Sequence, residues 1–392
     1  MRSFPEQSRA MKPLEQARVA IVHEWLDKYT GSERVLAAML KIFPGADLYA
    51  LIHDPDGLRG TPLEKVPVQT SFMQSLPLVK KNYRTYLPLM PLAVERFNLS
   101  AYDIVISNSH AVAKAAIVPP RTLHLCYLQA RNLKYAYEDR FFYPGGSSLR
   151  LAQDLFLTFI RVWDEVASKR PAFTIANSQY VSDWHLHRHG VPSVVIYPPV
   201  NVSLFSTHFQ PSKDDYYVTA GRLEPYKRMD VVVEAFKRLG LRLAVLGEGS
   251  ILSALKRAAA PNIEFMGHCD SETVASVFAR AKAFVFASRE DFGIAPLEAQ
   301  ACGTPVIAYG EGGTLETVVD WPAPDATGIF FDAQTPDALE EAVRFFEEHG
   351  GEFKPESCRR NAERFSEAHF REEFRNTMER LWSKFQRGEK LA

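Results

Sequence analysis

The segment "REDFGIAPLE" holds two carboxylates, Glu290 and Glu298, on either side of a glycine and a proline. A helix over 294–302 tolerates Pro296 in its first turn, which puts Glu290 in the preceding loop and Glu298 about one turn inside. The first N–H groups of a helix lack intrahelical partners and the dipole is positive there, so such a position attracts anions, phosphates above all. Carboxylates beside a phosphate would repel it. They suit the neutral hydroxyls of whatever carries the phosphate, and sugar hydroxyls meet that description. The spacing alone also fits a first-turn acid favoured by the dipole and a solvated loop acid.

A second group of residues suits the anion itself. After an apolar run at 217–220 come Gly221-Arg222-Leu223-Glu224-Pro225-Tyr226-Lys227. Arg222 offers a fork that bridges two oxygens and Lys227 a compact point charge, the pair a diphosphate needs beside a close-lying glycine. Read by itself this is also a solvated basic loop. It gains weight because the loop and the 294–302 helix are expected on the same edge of one sheet.

The elements that must position these residues alternate in type. Strands are predicted at 18–22, 48–51, 104–107, 123–127, 174–176 and 194–197, several with helical patterns between them. Between the first strand and the first helix stands Thr30-Gly31-Ser32. This alternation predicts a doubly wound parallel sheet. Pro198 and Pro199 interrupt it and mark a domain boundary. A second series follows, with strands at 217–220, 243–246, 263–266, 283–287 and 305–308 and helices at 229–239 and 273–279. The predicted fold class is thus α/β, with two Rossmann-like domains facing a cleft and ligands at the carboxyl ends of the strands. The N-terminal domain covers 17–199 and the C-terminal domain 200–369, with 1–16 a disordered tail. Phe370, Phe374, Met378 and Leu381 give the last helix one apolar face, which is expected to pack back on the N-terminal domain.

Bulk composition narrows the partners. A chain of 392 residues exceeds one typical core. Its 46 basic and 47 acidic residues give a formal charge of -1, so nucleic acid is not an expected partner and any anion site is local. Cys126, Cys269, Cys302 and Cys358 lack metal-ligand spacing and read as reduced thiols of a cytoplasmic protein; no metal is expected. No apolar h-region precedes the first strand and no 18-residue apolar run occurs. Asp54-Pro55-Asp56-Gly57 has an acid-x-acid pattern, but proline and glycine make it a surface turn.

Gly221-Arg222-Leu223 with Lys227, Gly247-Glu248-Gly249, and Glu290-Asp291-Phe292-Gly293-Ile294 ending at Glu298 resemble the signature of family 4 retaining glycosyltransferases of the GT-B fold. The segments "VHEWLDKYTGSERVL", "YDIVISNSHAVAK", "VIYPPVN" and "VIAYGEGGTLETV" extend the likeness to the bacterial mannosyltransferase branch that builds O-antigen and exopolysaccharide. The resemblance implies transfer of mannose from GDP-mannose to a polyprenyl-diphosphate-linked sugar, with no metal required. It implies that Glu298 accepts from the ribose and Glu290 from the hexose, that N–H groups of Phe292, Gly293 and Ile294 hold sugar and phosphate, and that Arg222 and Lys227 stabilise the leaving diphosphate. Gly221 and Gly247 would belong to the same donor site, Gly31 would let the backbone approach the donor, and Met266, Gly267 and His268 would line the base. A UDP-sugar enzyme of the same fold and a non-catalytic nucleotide-sugar-binding subunit are the alternatives.

Relatives of that branch carry a histidine where this chain has Gln129 in "CYLQARNLKYAYED", followed by threonine and proline where it has Ala130 and Arg131. Glutamine can hydrogen-bond a hydroxyl but carries no proton charge near neutrality. Gln129, Arg131 and His110 are the sugar- or acceptor-side candidates; His110 fits a cleft residue and a packed or capping histidine equally. Lys80, Lys81 and Arg84, mixed with Tyr83, Tyr86, Leu87 and Leu89, fit a surface resting on the inner face of the plasma membrane and equally an amphipathic helix turned to the core.

Overall fold

A computed structural model describes residues 11–137 and 150–391, and the chain divides into two compact units. Unit 1 comprises residues up to Asn177, Ser182–Ile196 and everything from Arg371; unit 2 comprises Ser178–Val181 and Tyr197–Phe370.

Unit 1 contains β1 (Val19–Leu26), β2 (Asp47–His53), β3 (Val68–Thr70), β4 (Ile104–Ser109), β5 (Leu123–Leu128), β6 (Phe173–Ala176) and β7 (Val194–Val195). They form one parallel sheet in the order β3-β2-β1-β4-β5-β6-β7. Every residue of β4 and β5 is buried, because helices cover both faces of a parallel sheet and near-continuous apolar runs result. The order reverses between β1 and β4, so the carboxyl ends of those strands flank this unit's crevice.

Unit 2 contains β8 (Tyr217–Ala220), β9 (Leu243–Leu246), β10 (Ile263–Gly267), β11 (Ala283–Phe286), β12 (Val306–Tyr309) and β13 (Gly328–Phe331), all parallel, in the order β10-β9-β8-β11-β12-β13. Its reversal lies between β8 and β11. Alternate residues feed two cores: Val245 and Val285 pack with Val232, Phe236 and Phe346 on one face, and Phe284 and Phe286 with Phe278, Leu297 and Phe365 on the other.

The differences from expectation are local. Strand β1 continues through His23 and Glu24 to Leu26, and the following helix, Gly31–Ile42, begins two residues early because Thr30 and Glu33 close a capping box. Strand β7 stops at Val195. Strands β3 and β13 were not predicted: β3 is a short edge strand with no apolar pattern, and β13 starts on a glycine. The expected tail over 1–16 is corrected in part. Residues 1–10 lie outside the described residues, but Leu14–Gln16 form a 3-10 turn, and Lys12 is tied to Asp103 at 2.6 Å and accepts Trp382 Nε1 at its carbonyl. Phe370, Phe374, Met378 and Leu381 of the last helix, Glu367–Gln386, are all buried, the face its periodicity predicted. Among the described residues no helix is long and apolar enough to cross a membrane.

Candidate functional site

The expected anion-binding residues of unit 2 leave the strands that flank its reversal point. Arg222 and Lys227 follow β8 and Glu290 follows β11, at the carboxyl ends of adjacent parallel strands. The Ser288 hydroxyl donates to the Lys227 carbonyl (2.9 Å), joining the two loops, and the Lys227 ammonium forms an ion pair with the Glu290 carboxylate. Tyr226 stands between the cations, its ring centroid 6.0 Å from the Arg222 guanidinium carbon and 5.5 Å from Lys227 Nζ. Arg222 is exposed, while Lys227 and Glu290 keep 14% and 24% of their side-chain surface, so one charge is offered to solvent and one is held against a carboxylate.

Glycines let these loops meet. Gly247, at the end of β9, has φ +123° and a Cβ there would lie 2.0 Å from the Gly221 carbonyl oxygen. Gly312 has φ +86°, its Cβ would meet the Glu290 carbonyl at 2.4 Å, and Gly313 N–H donates to that carbonyl at 2.9 Å. Gly293, φ +94°, precedes the helix Ile294–Ala301, which carries Pro296 in its first turn and half-buried Glu298 one turn further. Gly247→Ala combines a disfavoured backbone with a backbone clash and is expected to cost roughly 2–4 kcal/mol. Urea unfolding of the variant measures it, and a loss below about 1 kcal/mol would show that the β8 and β9 loops are not held this tightly.

Unit 1 carries a buried polar chain at its own reversal point. Glu33 Oε1 lies 3.1 Å from His23 Nε2, Asn108 Nδ2 lies 3.2 Å from His23 Nδ1, and Gln129 Nε2 donates to Asn108 Oδ1 at 2.5 Å. Beside it, fully buried Glu24 accepts from the Ser109 hydroxyl at 3.0 Å and from the N–H groups of Ala111, Val112 and Ala113, each at 2.9 Å. Its other oxygen sits 2.9 Å from His110 Nδ1. Burial opposes ionisation of Glu24, but the charge and hydrogen bond of His110, the charge of His23 and the Ala113 N–H outweigh it and hold the carboxyl well below its usual range. Glu33 is lowered to about 2: burial again opposes, and His23, Thr30 and Ser32 prevail. Burial would lower His110, yet the Glu24 charge and hydrogen bond raise it above 6.5.

These shifts make a test. Glu24→Gln removes the charge partner closest to His110 and leaves burial opposed by Glu33 and Asp27, so the imidazole midpoint is expected to fall from its wild-type value, as followed by NMR titration of its ring protons. Glu24, with a depressed folded pKa, stabilises the fold above its unfolded value near 4.5, an effect lost as pH falls through the folded value. His110 is opposite in sign: its contribution is complete below 6.5 and disappears as pH rises through its raised folded value. An unmoved His110 midpoint in the variant would show that Glu24 does not set it.

The expected residues therefore fall in two places. Gly221, Arg222, Lys227, Gly247, Glu290, Phe292, Gly293, Ile294 and Glu298 gather at the carboxyl edge of the unit 2 sheet. Met266, Gly267 and exposed His268 follow at the end of β10, where the Gly267 carbonyl accepts from Gly247 N–H (2.7 Å). Phe292 is 4% exposed and packs on Tyr197 and Phe365, so only its backbone is offered. Gly31, His110, Gln129 and Arg131 belong to unit 1; Gly31 starts a helix and Arg131 is 4% exposed, an enclosed side chain. Asp54 pairs with Lys80 at 3.2 Å, and the turn 55–58 is a 3-10 element. Lys80 and Arg84 are exposed, and the Arg84 guanidinium lies 5.9 Å from the Tyr83 ring centroid.

Sequence reasoning passed over several residues of these loops. Arg289 pairs with Glu311 at 2.9 Å and donates to the Tyr180 hydroxyl at 2.8 Å. Glu316 accepts from the N–H groups of Gln179 and Tyr180. The Gly312-Gly313 pair in "YGEGG" signalled the close approach to Glu290. Nothing in the spacing announced Glu24, because its donors come from residues 109–113.

The chain matches the family described as Glycosyl transferases group 1 over residues 203–365, within unit 2. A GDP-mannose-dependent monoacylated alpha-(1-6)-phosphatidylinositol monomannoside mannosyltransferase of Corynebacterium glutamicum is 33% identical over 138 residues, 31% of this chain and 35% of that protein. The chain spans between about a third and two-fifths of the length of the curated relatives it matches first. Two solved structures cover 93% of this chain and the whole of their own: sucrose-phosphate synthase from Thermosynechococcus elongatus, with a TM-score of 0.70, and Anabaena HepE in complex with UDP, with a TM-score of 0.66, each 17% identical. These likenesses carry the fold. The two parallel-sheet units are those of the GT-B glycosyltransferase architecture.

Proposed function

We propose that this chain is a family 4 retaining glycosyltransferase that moves mannose from GDP-mannose to a polyprenyl-diphosphate-linked or oligosaccharide acceptor in surface-polysaccharide synthesis. The observation that carries the reading is the meeting of Arg222, Lys227 and Glu290 at the carboxyl ends of β8 and β11, the reversal point of the unit 2 sheet. Likeness of part of the chain to a GDP-mannose-dependent enzyme supports the choice of donor.

In this reading Arg222 and Lys227 face the diphosphate, and Glu298 and Glu290 accept from the ribose and the hexose. The acceptor hydroxyl attacks the anomeric carbon from the face that the diphosphate leaves. The bond from that carbon to the diphosphate oxygen breaks, a new glycosidic bond forms, and the acceptor proton passes to a phosphate oxygen. Charge builds on the leaving diphosphate, where fixed cations lower the barrier most. Arg222 and Lys227 supply that charge, so the proposal calls for no metal. In unit 1, Gln129 extends the chain from Glu33 through His23 and Asn108 and contributes hydrogen bonding without a titratable ring. Exposed Lys80 and Arg84 would hold the protein peripherally against the inner membrane face, where a polyprenyl acceptor resides.

Incubation with radiolabelled GDP-mannose, UDP-glucose and UDP-N-acetylglucosamine, with release of the nucleotide as readout, tests the proposal. Release from GDP-mannose is expected. Release from a UDP-sugar alone would remove mannose from the reading, and binding without release from any donor would make the chain a nucleotide-sugar-binding subunit.

A further inference from the structure

Three enclosed side chains of unit 1, Glu33, His23 and Asn108, lead to one that is not: Gln129, just past the end of β5, is half-buried. The direction of the hydrogen bonds along this chain is fixed from its inner end. Ionised Glu33 only accepts, so His23 gives it the Nε2 proton across 3.1 Å, and in the neutral ring Nδ1 accepts from Asn108 Nδ2 at 3.2 Å. Asn108 Nδ2 also donates to the Ser32 carbonyl at 3.2 Å, an atom that cannot donate, so the Asn108 amide keeps this orientation whichever protons His23 carries. Its Oδ1 is therefore left to accept from Gln129 Nε2 at 2.5 Å. The Gln129 backbone is held as well, its N–H by the Ser109 carbonyl at 2.7 Å and its carbonyl by Asn177 Nδ2 at 2.6 Å. Among the described residues nothing donates to Gln129 Oε1, which stands at the carboxyl edge of the sheet, one strand from the reversal point, where open α/β sheets receive ligands. Each bond of the chain donates toward the Glu33 charge, and such a series polarises cooperatively, which makes that outer oxygen a stronger acceptor than the oxygen of an isolated amide.

We propose that Gln129 determines specificity in a sugar subsite of unit 1: its amide oxygen admits a free hydroxyl at one position of a hexose and excludes a group that cannot donate there. The hexose comes from the glycosyltransferase reading, on which this inference rests; the polarity comes from Ser32, Asn108 and Glu33. A glutamine free to turn would meet a donor or an acceptor equally, since its two ends offer both, and a histidine would do so by changing tautomer. Here the amide nitrogen is committed to Asn108, and turning the amide would set oxygen against oxygen at that contact.

Titration calorimetry of the full chain with GDP-mannose and its deoxy and deoxyfluoro forms, one hexose position at a time, tests this, because fluorine can accept but not donate. In wild type, one position is expected to lose about tenfold in affinity as the deoxy form and to recover none of it as the deoxyfluoro form. Gln129→Met is expected to bind GDP-mannose about tenfold more weakly and to bind that deoxy form no worse than GDP-mannose, with its near-ultraviolet circular dichroism unchanged. The same series of methyl mannosides in the presence of GDP reads a sugar on the acceptor side, and a Gln129-dependent response there alone assigns the hydroxyl to the acceptor. A deoxyfluoro form that binds as tightly as the parent sugar, a discrimination that survives Gln129→Met, or no Gln129-dependent position in either series would overturn the inference, while nucleotide release in the donor assay leaves the enzyme standing. Absence of both release and nucleotide-sugar binding in wild type would remove the reading and the subsite together.

Discussion

Lys114→Met is expected to lower the stability of unit 1 by about 3–5 kcal/mol, the usual result of removing one partner of a buried ion pair. Lys114 Nζ lies 2.6 Å from Asp164 Oδ1, and both side chains are within 1% of complete burial. The other oxygen of Asp164 accepts from the Tyr137 hydroxyl at 2.8 Å and lies 3.5 Å from His189 Nε2. Burial, then the charge of Lys114, lowers the pKa of His189, and burial pushes His185 down to about 3, so the neighbouring imidazoles stay neutral and Lys114 supplies the positive charge. Methionine fills the space and leaves the carboxylate without that charge.

The loss in Lys114→Met should shrink in acid. Without the ammonium, one of the two causes that lower His189 is gone while Asp164 and Glu165 still raise it, so its folded pKa rises from its value in the wild type. A folded pKa below the unfolded value near 6.5 costs stability as pH falls through 6.5, and that cost is smaller in the variant, so the deficit is larger at about pH 8 than at about pH 5.5. Urea unfolding at both values, followed by tryptophan fluorescence, reads this, since Trp25, Trp163, Trp184 and Trp382 belong to unit 1. Lys114→Met/Asp164→Leu removes both charges and is expected to recover most of the loss. A deficit under about 1 kcal/mol, or a double variant no better than the single, would refute the account.

That pair also shows where sequence reading stops. Fifty residues separate Lys114 from Asp164, and neither position is apolar, so periodicity gave no reason to bury them. Strands such as β4, β5, β8 and β11 were legible because a parallel sheet buried on both faces demands near-continuous apolar runs: β11 is apolar throughout, and β4, β5 and β8 are apolar but for Ser107, Asn108, Ser109, His124 and Thr219. Strand β3, with its exposed and half-exposed residues, offers no such run, since its place at the sheet edge comes from pairing with β2. The helix after Gly293 could be placed from a glycine, a proline in the first turn and the apolar residues that follow. The ion pair between Lys227 and Glu290 could not. By residue type Lys227 suits a phosphate and Glu290 a hydroxyl, but the β8 and β11 loops are joined through Ser288 and bring the two charges together. The Glu24 carboxylate was equally hidden, because its meaning lies in the N–H groups of a turn more than eighty residues away.

The contact between Lys227 and Glu290 makes the two cations distinguishable in kinetics. Arg222 is exposed, so removing it releases no buried carboxylate. Under the proposed function, Arg222→Ala is expected to lower kcat by roughly 10²–10³ with donor Kd changed less than about threefold, because its charge partner develops in the transition state. Lys227→Ala removes a phosphate cation and also leaves Glu290 with nothing to neutralise it at that contact, so it should raise donor Kd as well as lower kcat. The double variant Lys227→Ala/Glu290→Ala then separates these effects. Deleting the uncompensated carboxylate takes a repelling charge away from the diphosphate, so donor binding should improve over Lys227→Ala while kcat stays low. Titration calorimetry with GDP-mannose and pre-steady-state turnover give the two quantities independently. If Arg222→Ala turned over like the wild type, the leaving group would not lie at the end of β8. If the double variant bound donor no better than Lys227→Ala, repulsion by the uncompensated Glu290 carboxylate would not account for the weaker binding of Lys227→Ala, and loss of the ammonium alone would carry it.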